Sequence, residues 1–426
     1  MMGVDVAAML LAGGRGTRLN LVAAKRAKPA VPFAGIYRII DFTLTNAMAS
    51  GIRHVGVLTQ YRPTSLMEHL GDGESWDLWG RNSALSILPP SLGRDVSGGY
   101  RGTADAVFQN LAFLDRHSPR NVVILSGDHI YRMDYRPMLE RHHESGADMT
   151  VACMEVPWEE THRFGVMEVD SDGRVVRFIE KSLERITNLA NMGIYVFRSE
   201  VLLDELRRTV PGGGYDFGAN VIPGMLARRQ VQSYPFEGYW RDVGTLPSYW
   251  SANMDALDPS SGLDLAAWRV RTNLAGRRQV FHPPARLGPS ASVRGSIVSR
   301  GCHVEGAVSG SILSPGVRIG RGATVVASVI MHDCVIEPGA FVANAVVDKD
   351  AVVGAGTRIG RADAAGGENR DFPTHLSGGL SVVGKGTTVP GGLTVGANCL
   401  IGAGLAAGAF PSGGIEDGAS LIGEGG

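Results

Sequence analysis

The sequence predicts an α/β domain with a mostly parallel sheet, followed by a parallel β-helix. From Val6 to about Ala256, short apolar or β-branched runs alternate with longer amphipathic stretches, which is typical of strands and helices in such a sheet. After Pro284, aliphatic residues recur with a period of 17 residues. We therefore predict domains at residues 1–256 and 285–426, joined by a linker at 257–284.

The composition of the chain excludes two kinds of partner. With 426 residues and a formal net charge of −1, the chain has no general basic field that would attract nucleic acid or an anionic membrane surface. No run approaches the roughly 18 apolar residues that a membrane span requires. The cysteines form no C-x-x-C pair and no signal peptide precedes the first strand, so we expect a reducing, cytoplasmic location.

Lysine is scarce in this chain. Of the 41 lysine and arginine residues only five are lysines, so the chain uses arginine at most positions that need only a positive charge. The compact ammonium of lysine makes point contacts that the planar guanidinium cannot copy. We therefore expect the few lysines to mark positions where a lysine is specifically needed.

A glycine-rich loop, Leu11–Leu19, follows the first predicted strand. It carries three glycines and two arginines: Gly13, Gly14, Gly16, Arg15 and Arg18. Glycine lets the backbone approach a ligand closely, and arginine adds fixed positive charge. The spacing matches neither the P-loop nor the dinucleotide pattern, but it fits a backbone phosphate cradle. An ordinary turn with surface arginines is the alternative for this segment alone.

The pattern also predicts individual strands and helices in the α/β domain. We expect strands at Val55–Leu58, Val122–Leu125, Met149–Met154 and Ile194–Phe197, and helices around Pro63–Leu70, Ala104–Arg116 and Pro137–Ser145.

Two aspartates are candidate metal ligands. Asp128 follows the strand Val122–Leu125, at the edge of the sheet where the glycine loop also opens. A carboxylate that faces a phosphate needs a cation between them, and Mg²⁺ is the usual one. Asp242 is the best candidate for the second carboxylate, although a turn aspartate paired with Arg241 is the alternative.

Two further segments end in polar side chains. Glu180 and Lys181 close a strand-like run and would supply a hydroxyl acceptor and a phosphate partner to an anionic sugar; a solvated strand end is the alternative. Tyr100–Asp105 has the form of a second glycine turn, with Thr103 as the N-cap of the next helix. This turn either closes over a nucleotide base or serves only as a cap.

The C-terminal repeats predict stacked triangular coils with aliphatic corners. Three sets of residues are each spaced by 17: Ile319, Ile336 and Val353; Val325, Val342 and Ile359; and Leu313, Ile330 and Val347. The period lapses across Arg361–Gly379 and resumes at Val383, Val389, Val395 and Ile401.

Taken together, these residues closely resemble one family, glucose-1-phosphate adenylyltransferase, the ADP-glucose pyrophosphorylase of glycogen synthesis. The matching segments are LAGGRGTRL (11–19), KRAKPAVPF (25–33), RIIDFTLTN (38–46), GVLTQY (56–61), YRGTADAV (100–107), VILSGDHIY (123–131), FGVM (164–167), MGIYVF (192–197), DFG (216–218) and YWRDVGT (239–245). The resemblance covers nearly the whole chain. It implies a Rossmann-like nucleotidyltransferase domain and a left-handed β-helix for assembly and regulation.

The resemblance also implies residue roles and a reaction. A phosphate oxygen of glucose 1-phosphate would attack the α-phosphorus of ATP, with Mg²⁺ as cofactor and no side-chain nucleophile. The implied catalytic residues are Arg15, Lys28, Asp128 and Asp242, and the two aspartates are also the metal ligands. The implied ATP-binding residues are Leu11, Gly13, Gly14, Arg18, Gln60, Tyr100 and Gly102. Glucose 1-phosphate would contact Gly165, Glu180, Lys181 and Asn191, and Lys25 would bind an activating sugar phosphate. A homotetramer is the expected assembly.

Two departures and three alternatives accompany this resemblance. Ser182 stands where the family's EKP motif has proline, and Asn191 replaces a serine at the sugar side of the pocket. One alternative is a regulatory subunit without catalysis, although the aspartates and the loop arginines that it would be expected to lose are present. A second is acyl transfer by His303 or His332 of the β-helix. The third is another nucleotide or sugar, such as UTP or a mannose phosphate.

Overall fold

The computed structural model of the chain describes residues 5–14, 16–90, 99–275, 282–363 and 367–423. The chain divides into two compact units, each built from separated segments. The first unit comprises Met1–Gly14, Phe42–Pro63 and Leu70–Trp240, and the second comprises Arg15–Asp41, Thr64–His69 and Arg241–Gly426. The predicted domain boundaries at 256 and 284 stay a prediction.

The first unit is organised around a mixed sheet, which has nine strands among the described residues. In chain order these strands are β1 (Val6–Leu11), β2 (His54–Leu58), β3 (Ala84–Leu88), β4 (Asn121–Ser126), β5 (Met149–Glu155), β6 (Gly165–Val169), β7 (Val175–Glu180), β8 (Leu189–Arg198) and β9 (Val231–Pro235). Their spatial order is β7-β6-β8-β4-β1-β2-β3, and β5 pairs with both β8 and β9. The four predicted strands are confirmed.

The parallel strands of this sheet bring the loops that carry the candidate site residues to one edge. β1 lies between β2 and β4, and the apolar run of β1 is buried because strands flank it on both sides. The register pairs Leu11 with both Leu58 and Ser126, and Leu58 with Leu88. These four strand ends therefore lie side by side, and the loops that follow them open at one edge. The antiparallel partners of β8 make the sheet mixed rather than purely parallel.

The helices agree with the sequence pattern, with one interruption. The predicted helix over 104–116 is broken at Gln109 and Asn110 into Thr103–Phe108 and Leu111–His117. The other α-helices are Leu21–Ala24, Ile39–Ala49, Thr64–Leu70, Arg136–Glu144, Ser199–Thr209, Ile222–Met225, Leu246–Asp255 and Leu265–Trp268. Short 3₁₀ segments lie at Thr17–Leu19, Lys28–Ala30, Glu74–Trp76, Trp158–Arg163, Pro259–Ser261 and Ala407–Ala409, and a π-helix at Phe217–Val221. None of the helices in the described ranges is long and apolar enough to cross a membrane.

Most of the second unit is the predicted β-helix, with three all-parallel sheets in its described part. The first sheet comprises Arg286–Leu287, His303–Val304, Arg318–Ile319, Val335–Ile336, Val352–Val353 and Thr388–Val389. The second comprises Ser292–Arg294, Ala307–Ser309, Thr324–Val326, Phe341–Ala343, Arg358–Ile359 and Thr394–Val395. The third comprises Ile297–Val298, Ile312–Leu313, Val329–Ile330, Ala345–Val347, Ser381–Val383, Leu400–Ile401 and Ser420–Leu421.

The register of these strands confirms the 17-residue repeat. Ile319 pairs with Ile336 and Ile336 with Val353, so each aliphatic corner stacks on its equivalent one coil later. The coil that contains the excursion resumes in register, since Val347 pairs with Val383. The corner residues are fully or almost fully buried and form one continuous core. The excursion is therefore an insertion into a single coil, and the repeat continues beyond it.

The N-terminal segment of the second unit is held by a buried helix. The short strands Pro32–Phe33 and Tyr37–Arg38 pair antiparallel. The hydroxyl of Tyr249 donates to the carbonyl of Pro32 at 2.6 Å, and the Asn253 Oδ1 accepts from the Ala34 amide at 2.9 Å. These bonds place the conspicuous KRAKPAVPF motif within the same unit as the β-helix.

Candidate functional site

In the first unit the glycine loop leaves β1 and packs on Gln60. A Cβ at Gly13 would lie 3.3 Å from the Cβ of Gln60, so glycine lets the two segments approach closely. Among the residues that the structure describes, a Cβ at Gly14 would meet no atom within 4 Å. The structure therefore places the glycine loop, predicted for the phosphates, beside Gln60, predicted for the base and ribose.

The second glycine turn joins this wall through Tyr100. The side-chain amide of Gln60 donates to the Tyr100 carbonyl at 3.3 Å, while the Tyr100 hydroxyl donates to the Leu88 carbonyl at 2.8 Å. Burial raises the pKa of Tyr100 to about 12, so the phenol stays protonated. Tyr100 thus uses its hydroxyl to anchor the turn at the end of β3, and the turn itself carries Gly102 towards the same edge.

Asp128 lies just beyond β4 at this edge. Its Oδ1 accepts a hydrogen bond from the Ser126 hydroxyl and lies 3.6 Å from the Nε2 of His129. A Cβ at Gly127 would come within 2.6 Å of the Leu10 side chain and 3.1 Å of the Leu11 carbonyl oxygen, so glycine allows the turn that presents Asp128 to pack closely on β1. The side chain of Asp128 is 28% exposed, which leaves carboxylate surface available to a ligand.

Glu180 sits in a cradle shaped by two glycines. A Cβ at Gly165 would lie 2.6 Å from the Glu180 Oε2, and one at Gly218 would lie 2.3 Å from the same atom. Burial raises the pKa of Glu180, the neighbouring Lys181 lowers it, and the charge of Asp216 raises it further. Lys181 is 63% exposed, with its Nζ 3.4 Å from the Glu180 Oε1, so its ammonium is accessible to solvent.

Asn191 takes a structural part in β8. Its amide nitrogen donates to the Tyr195 hydroxyl at 2.8 Å, and its amide oxygen accepts from the Gly193 backbone at 2.9 Å. A Cβ at Gly193 would lie 3.4 Å from the Cβ of Ser126. The turn that Asn191 stabilises therefore lies beside the segment that presents Asp128.

Aromatic rings extend the same neighbourhood. The ring of Trp240 lies 5.2 Å from that of His129 and 5.3 Å from that of Phe164, measured between centroids. Phe164 precedes Gly165 of the glutamate cradle, and His129 follows Asp128. Trp240, the second residue of the matching YWRDVGT segment, thus packs between these two parts of the first unit.

In the second unit, Lys28 and Asp242 form a buried ion pair. The Nζ of Lys28 donates to the Asp242 Oδ1 at 3.0 Å, and the two side chains are only 6% and 9% exposed. Arg18 also lies here, because a Cβ at Gly244 would be 3.3 Å from its Nη2 and 2.8 Å from the Asp242 Oδ1. Three predicted site residues of this unit therefore converge, while Arg15 lies outside the described residues.

Comparisons with known proteins identify the relationship. The family described as Nucleotidyl transferase matches residues 7–259, and the family described as GlmU-like, C-terminal hexapeptide matches residues 283–383. Glucose-1-phosphate adenylyltransferase of Thermomicrobium roseum is 48% identical over 423 residues, which cover 98% of this chain and 97% of the relative. The enzymes of that name from Acetivibrio thermocellus and Thermotoga maritima are 42% and 44% identical, covering 98% of this chain and 98% and 99% of their own lengths.

The chain belongs to the glucose-1-phosphate adenylyltransferase family. The alignment to the Thermomicrobium relative spans nearly the whole chain, so the excursion after residue 360 and the final repeat block fall within the compared length. The resemblance drawn from motifs is thereby confirmed, and so are the α/β domain and the hexapeptide-repeat domain.

Within this family fold, Asp216 is a site residue that motif reasoning left without a role. Its Oδ1 accepts from the amides of Gly218 and Ala219 at 2.9 and 3.2 Å, which caps the helix Phe217–Val221. Its charge acts on Glu180, which packs against Gly218. An aspartate directly before a short helical run is a recognisable N-cap signal, but its position beside Glu180 depends on the fold.

The aspartates fit the divalent metal ion that nucleotidyl transfer generally requires. Carboxylate oxygens are hard donors that suit such an ion, and Asp128 retains exposed carboxylate surface. No group of three or more histidine, cysteine or acidic side chains able to hold a metal occurs within the ranges that the structure describes.

The second unit also holds a cluster of cations around Lys349. Arg26 is buried and donates to both carboxylate oxygens of Asp348 at 2.9 and 3.0 Å. Burial, together with repulsion from Arg38 and Arg26, lowers the pKa of Lys349 to about 7. Burial and the charge of Lys349 likewise hold the pKa of His332 well below its usual value. Lys25, next to Arg26 in sequence, is exposed.

The depressed pKa of Lys349 makes a prediction about stability. Well below pH 7 Lys349 is protonated in both the folded and the unfolded chain, so the folded chain bears the full cost of burial and repulsion, and at pH 7 it still bears most of that cost. An unfolded lysine keeps its proton up to its ordinary pKa of 10.5. As the pH rises from about 7 towards that value, the folded chain loses the proton first and wild type gains stability. We therefore expect Lys349→Gln to be more stable than wild type at pH 7, with an advantage that shrinks towards pH 10.

Urea unfolding across this pH range measures the effect. Lys181→Gln serves as the control, because Lys181 is 63% exposed and its charge is not among those that act on Lys349. A stability difference between Lys349→Gln and wild type that stays constant from pH 7 to pH 10 would contradict the electrostatic origin.

Proposed function

We propose that this chain transfers the adenylyl group of ATP to glucose 1-phosphate, giving ADP-glucose and pyrophosphate for glycogen synthesis in the cytoplasm. Relatives that match it along nearly their whole length carry the name of this activity. The structural observation that supports it best is the approach of Gly193 to Ser126, which brings the sugar-side residues of the first unit to the edge that presents Asp128.

The proposed chemistry needs positioning and charge stabilisation rather than a side-chain nucleophile. A phosphate oxygen of glucose 1-phosphate attacks the α-phosphorus of ATP, and pyrophosphate leaves. The backbone at Gly13 and Gly14 receives the triphosphate, while Arg15, Arg18 and Lys28 stabilise its charge. Gln60, Tyr100 and Gly102 line the base and ribose, and Glu180 and Lys181 hold the sugar phosphate.

We propose Mg²⁺ as the divalent ion and, as the family resemblance implies, Asp128 and Asp242 as its protein ligands. When bound, such an ion neutralises phosphate charge at the reacting centre. Ser126 orients the Asp128 carboxylate through its hydrogen bond, and the Lys28 ammonium donates to the Asp242 carboxylate.

Pyrophosphate release by the purified chain tests the proposal directly. Assays with Mg²⁺ and glucose 1-phosphate compare ATP, UTP, GTP and dTTP as nucleotides. A strong preference for ATP supports the adenylyl transfer. Preference for another nucleotide would correct the substrate, and no release with any nucleotide would favour a regulatory subunit that works with a catalytic partner.

Each aspartate is expected to be essential. Asp128→Asn and Asp242→Asn should each lower kcat by about 10²-fold or more, because each removes one preorganised electrostatic element. Asp134→Asn is the matched control, since Asp134 is an exposed carboxylate paired with Arg136 in the first unit. Near-normal turnover in either variant, with the fold verified by circular dichroism, removes that residue from the metal site.

Lys181 is expected to serve the sugar phosphate alone. Lys181→Ala should raise the KM for glucose 1-phosphate and leave the KM for ATP nearly unchanged, because only the sugar-phosphate charge loses its partner. Arg177→Ala provides a control cation on the neighbouring strand, 47% exposed and paired with Glu168 and Glu184. An increase in the KM for ATP instead would refute the assignment.

We further propose regulation by a sugar phosphate and assembly as a homotetramer. The cation cluster around Lys349 supports regulation by a sugar phosphate. Burial and like charges lower the pKa of this lysine, so a bound anion would stabilise the cluster. Lys25 is exposed and directly precedes Arg26 of this cluster, so it would add a further positive charge to an anion site there. The stacked coils of the β-helix offer regular faces, which supports assembly as a homotetramer.

Lys25→Ala is expected to remove sugar-phosphate stimulation while preserving basal turnover. Basal turnover persists because Lys25 is not among the proposed substrate contacts. Pyrophosphate release with and without a panel of sugar phosphates measures the effect, and Arg321→Ala removes an exposed cation of the β-helix as a control. Stimulation that is unchanged in Lys25→Ala would remove this lysine from the effector site.

A further inference from the structure

Thr103 ties two loops of the first unit together with one hydroxyl. Its Oγ1 donates to the Asp216 Oδ2 at 2.9 Å and accepts from the Phe217 amide at 3.0 Å. The hydroxyl is thus used as donor and acceptor at the same time. A valine at this position would keep the shape of the side chain and lose both bonds.

Backbone packing makes this junction tight. The Tyr215 carbonyl accepts from the amides of Ala104 and Asp105 at 2.9 and 3.2 Å. A Cβ at Gly102 would lie 2.3 Å from the same carbonyl oxygen, so only glycine permits the approach. The guanidinium of Arg101 lies 3.9 Å from the centre of the Tyr215 ring and also donates to its hydroxyl. The glycine turn therefore cannot shift without moving the segment that contains Tyr215.

The turn is held from its other side by a buried carboxylate. Asp105 is fully buried, and its Oδ2 accepts from the Arg101 amide and from the Gln109 side chain, both at 2.8 Å. The turn is consequently fixed between the helix that follows it and the Tyr215 segment.

These contacts connect two candidate substrate regions within the first unit. On one side, Gln60 bonds to the Tyr100 carbonyl and packs on Gly13 of the glycine loop. On the other, Asp216 caps the helix whose Gly218 forms the floor beneath the Glu180 carboxylate. Thr103 is the side chain that bridges the nucleotide turn and the glutamate cradle.

We propose that Thr103 is a positioning residue that couples the two substrates, so that a nucleotide held at the Gln60–Tyr100 turn orders the cradle of Glu180 and tightens the binding of glucose 1-phosphate. This proposal rests on the proposed function. It extends that function by assigning cooperative substrate binding to a residue that touches neither substrate and acts through Asp216.

The variants Thr103→Val and Thr103→Ser separate the hydroxyl from the shape of the side chain. Loss of a hydrogen bond to a charged acceptor corresponds to about a tenfold or greater change in an equilibrium constant. We expect Thr103→Val to raise the KM for glucose 1-phosphate about tenfold, with the KM for ATP changed little. Thr103→Ser retains the hydroxyl and should restore the wild-type KM.

Thr150→Val is the control for simple loss of a buried hydroxyl. Thr150 is fully buried in β5 and bonds to the ring of His142 at 2.8 Å. It should lower the melting temperature and leave the KM for glucose 1-phosphate unchanged. Should Thr103→Val fail to fold, Thr103→Ala removes the same hydroxyl without a β-branched side chain and carries the test.

Calorimetry of glucose 1-phosphate binding, with and without α,β-methylene-ATP, an analogue whose bond between the α- and β-phosphates cannot be cleaved, measures the coupling itself. In wild type the analogue should tighten glucose 1-phosphate binding, and in Thr103→Val this enhancement should be lost. An enhancement that survives in Thr103→Val overturns the proposal, and so does an equal rise in both KM values together with a lowered melting temperature.

The two proposals fail in different ways. If wild type forms no ADP-glucose from ATP and glucose 1-phosphate, the proposed function fails, whatever the Thr103 variants do. If wild type is active and Thr103→Val binds glucose 1-phosphate like wild type in the presence of the analogue, the positioning role of Thr103 fails alone.

Discussion

The first unit depends on the parallel pairing of β1 with β2 and β4. This register places Leu11, Leu58 and Ser126 side by side, so three loops leave the sheet at one edge. A shift of one residue would turn the buried side chains of β1 towards the opposite face and separate these loops. The site residues Gly13, Gln60 and Asp128 owe their common location to this pairing, because each lies within two residues of one of the aligned strand ends.

The second unit depends on a different constraint, the stacking of equal coils. Each aliphatic corner is buried only because its equivalents lie above and below it, so the repeat has to stay in register even across the excursion after residue 360. The same unit holds the N-terminal motif through Tyr249, Asn253 and the buried pair of Arg26 and Asp348. A change at Lys25 or Lys349 is therefore a change within the body of the β-helix unit.

Glycine positions and carboxylate environments connect structure to the proposed chemistry. Gly165 and Gly218 leave room for the Glu180 carboxylate, whose pKa is raised by burial and by Asp216. Lys28 and Asp242 neutralise each other at 3.0 Å in the second unit. These groups are prearranged by packing and hydrogen bonds, which is what a reaction without a protein nucleophile requires of its enzyme.

The sequence by itself determined the α/β and β-helix architecture, the 17-residue register and the family, because periodic burial and contiguous motifs are local signals. It also marked Asp128, Glu180 and Lys181 as candidates from their places at strand ends. Only the tertiary structure decided that Asp216 lies beside Glu180 and that Thr103 bridges two loops. It also decided that the side-chain amide of Asn191 hydrogen-bonds to Gly193 and Tyr195. Those contacts join residues from separate elements, so they depend on how the strands and helices pack, which no local pattern records.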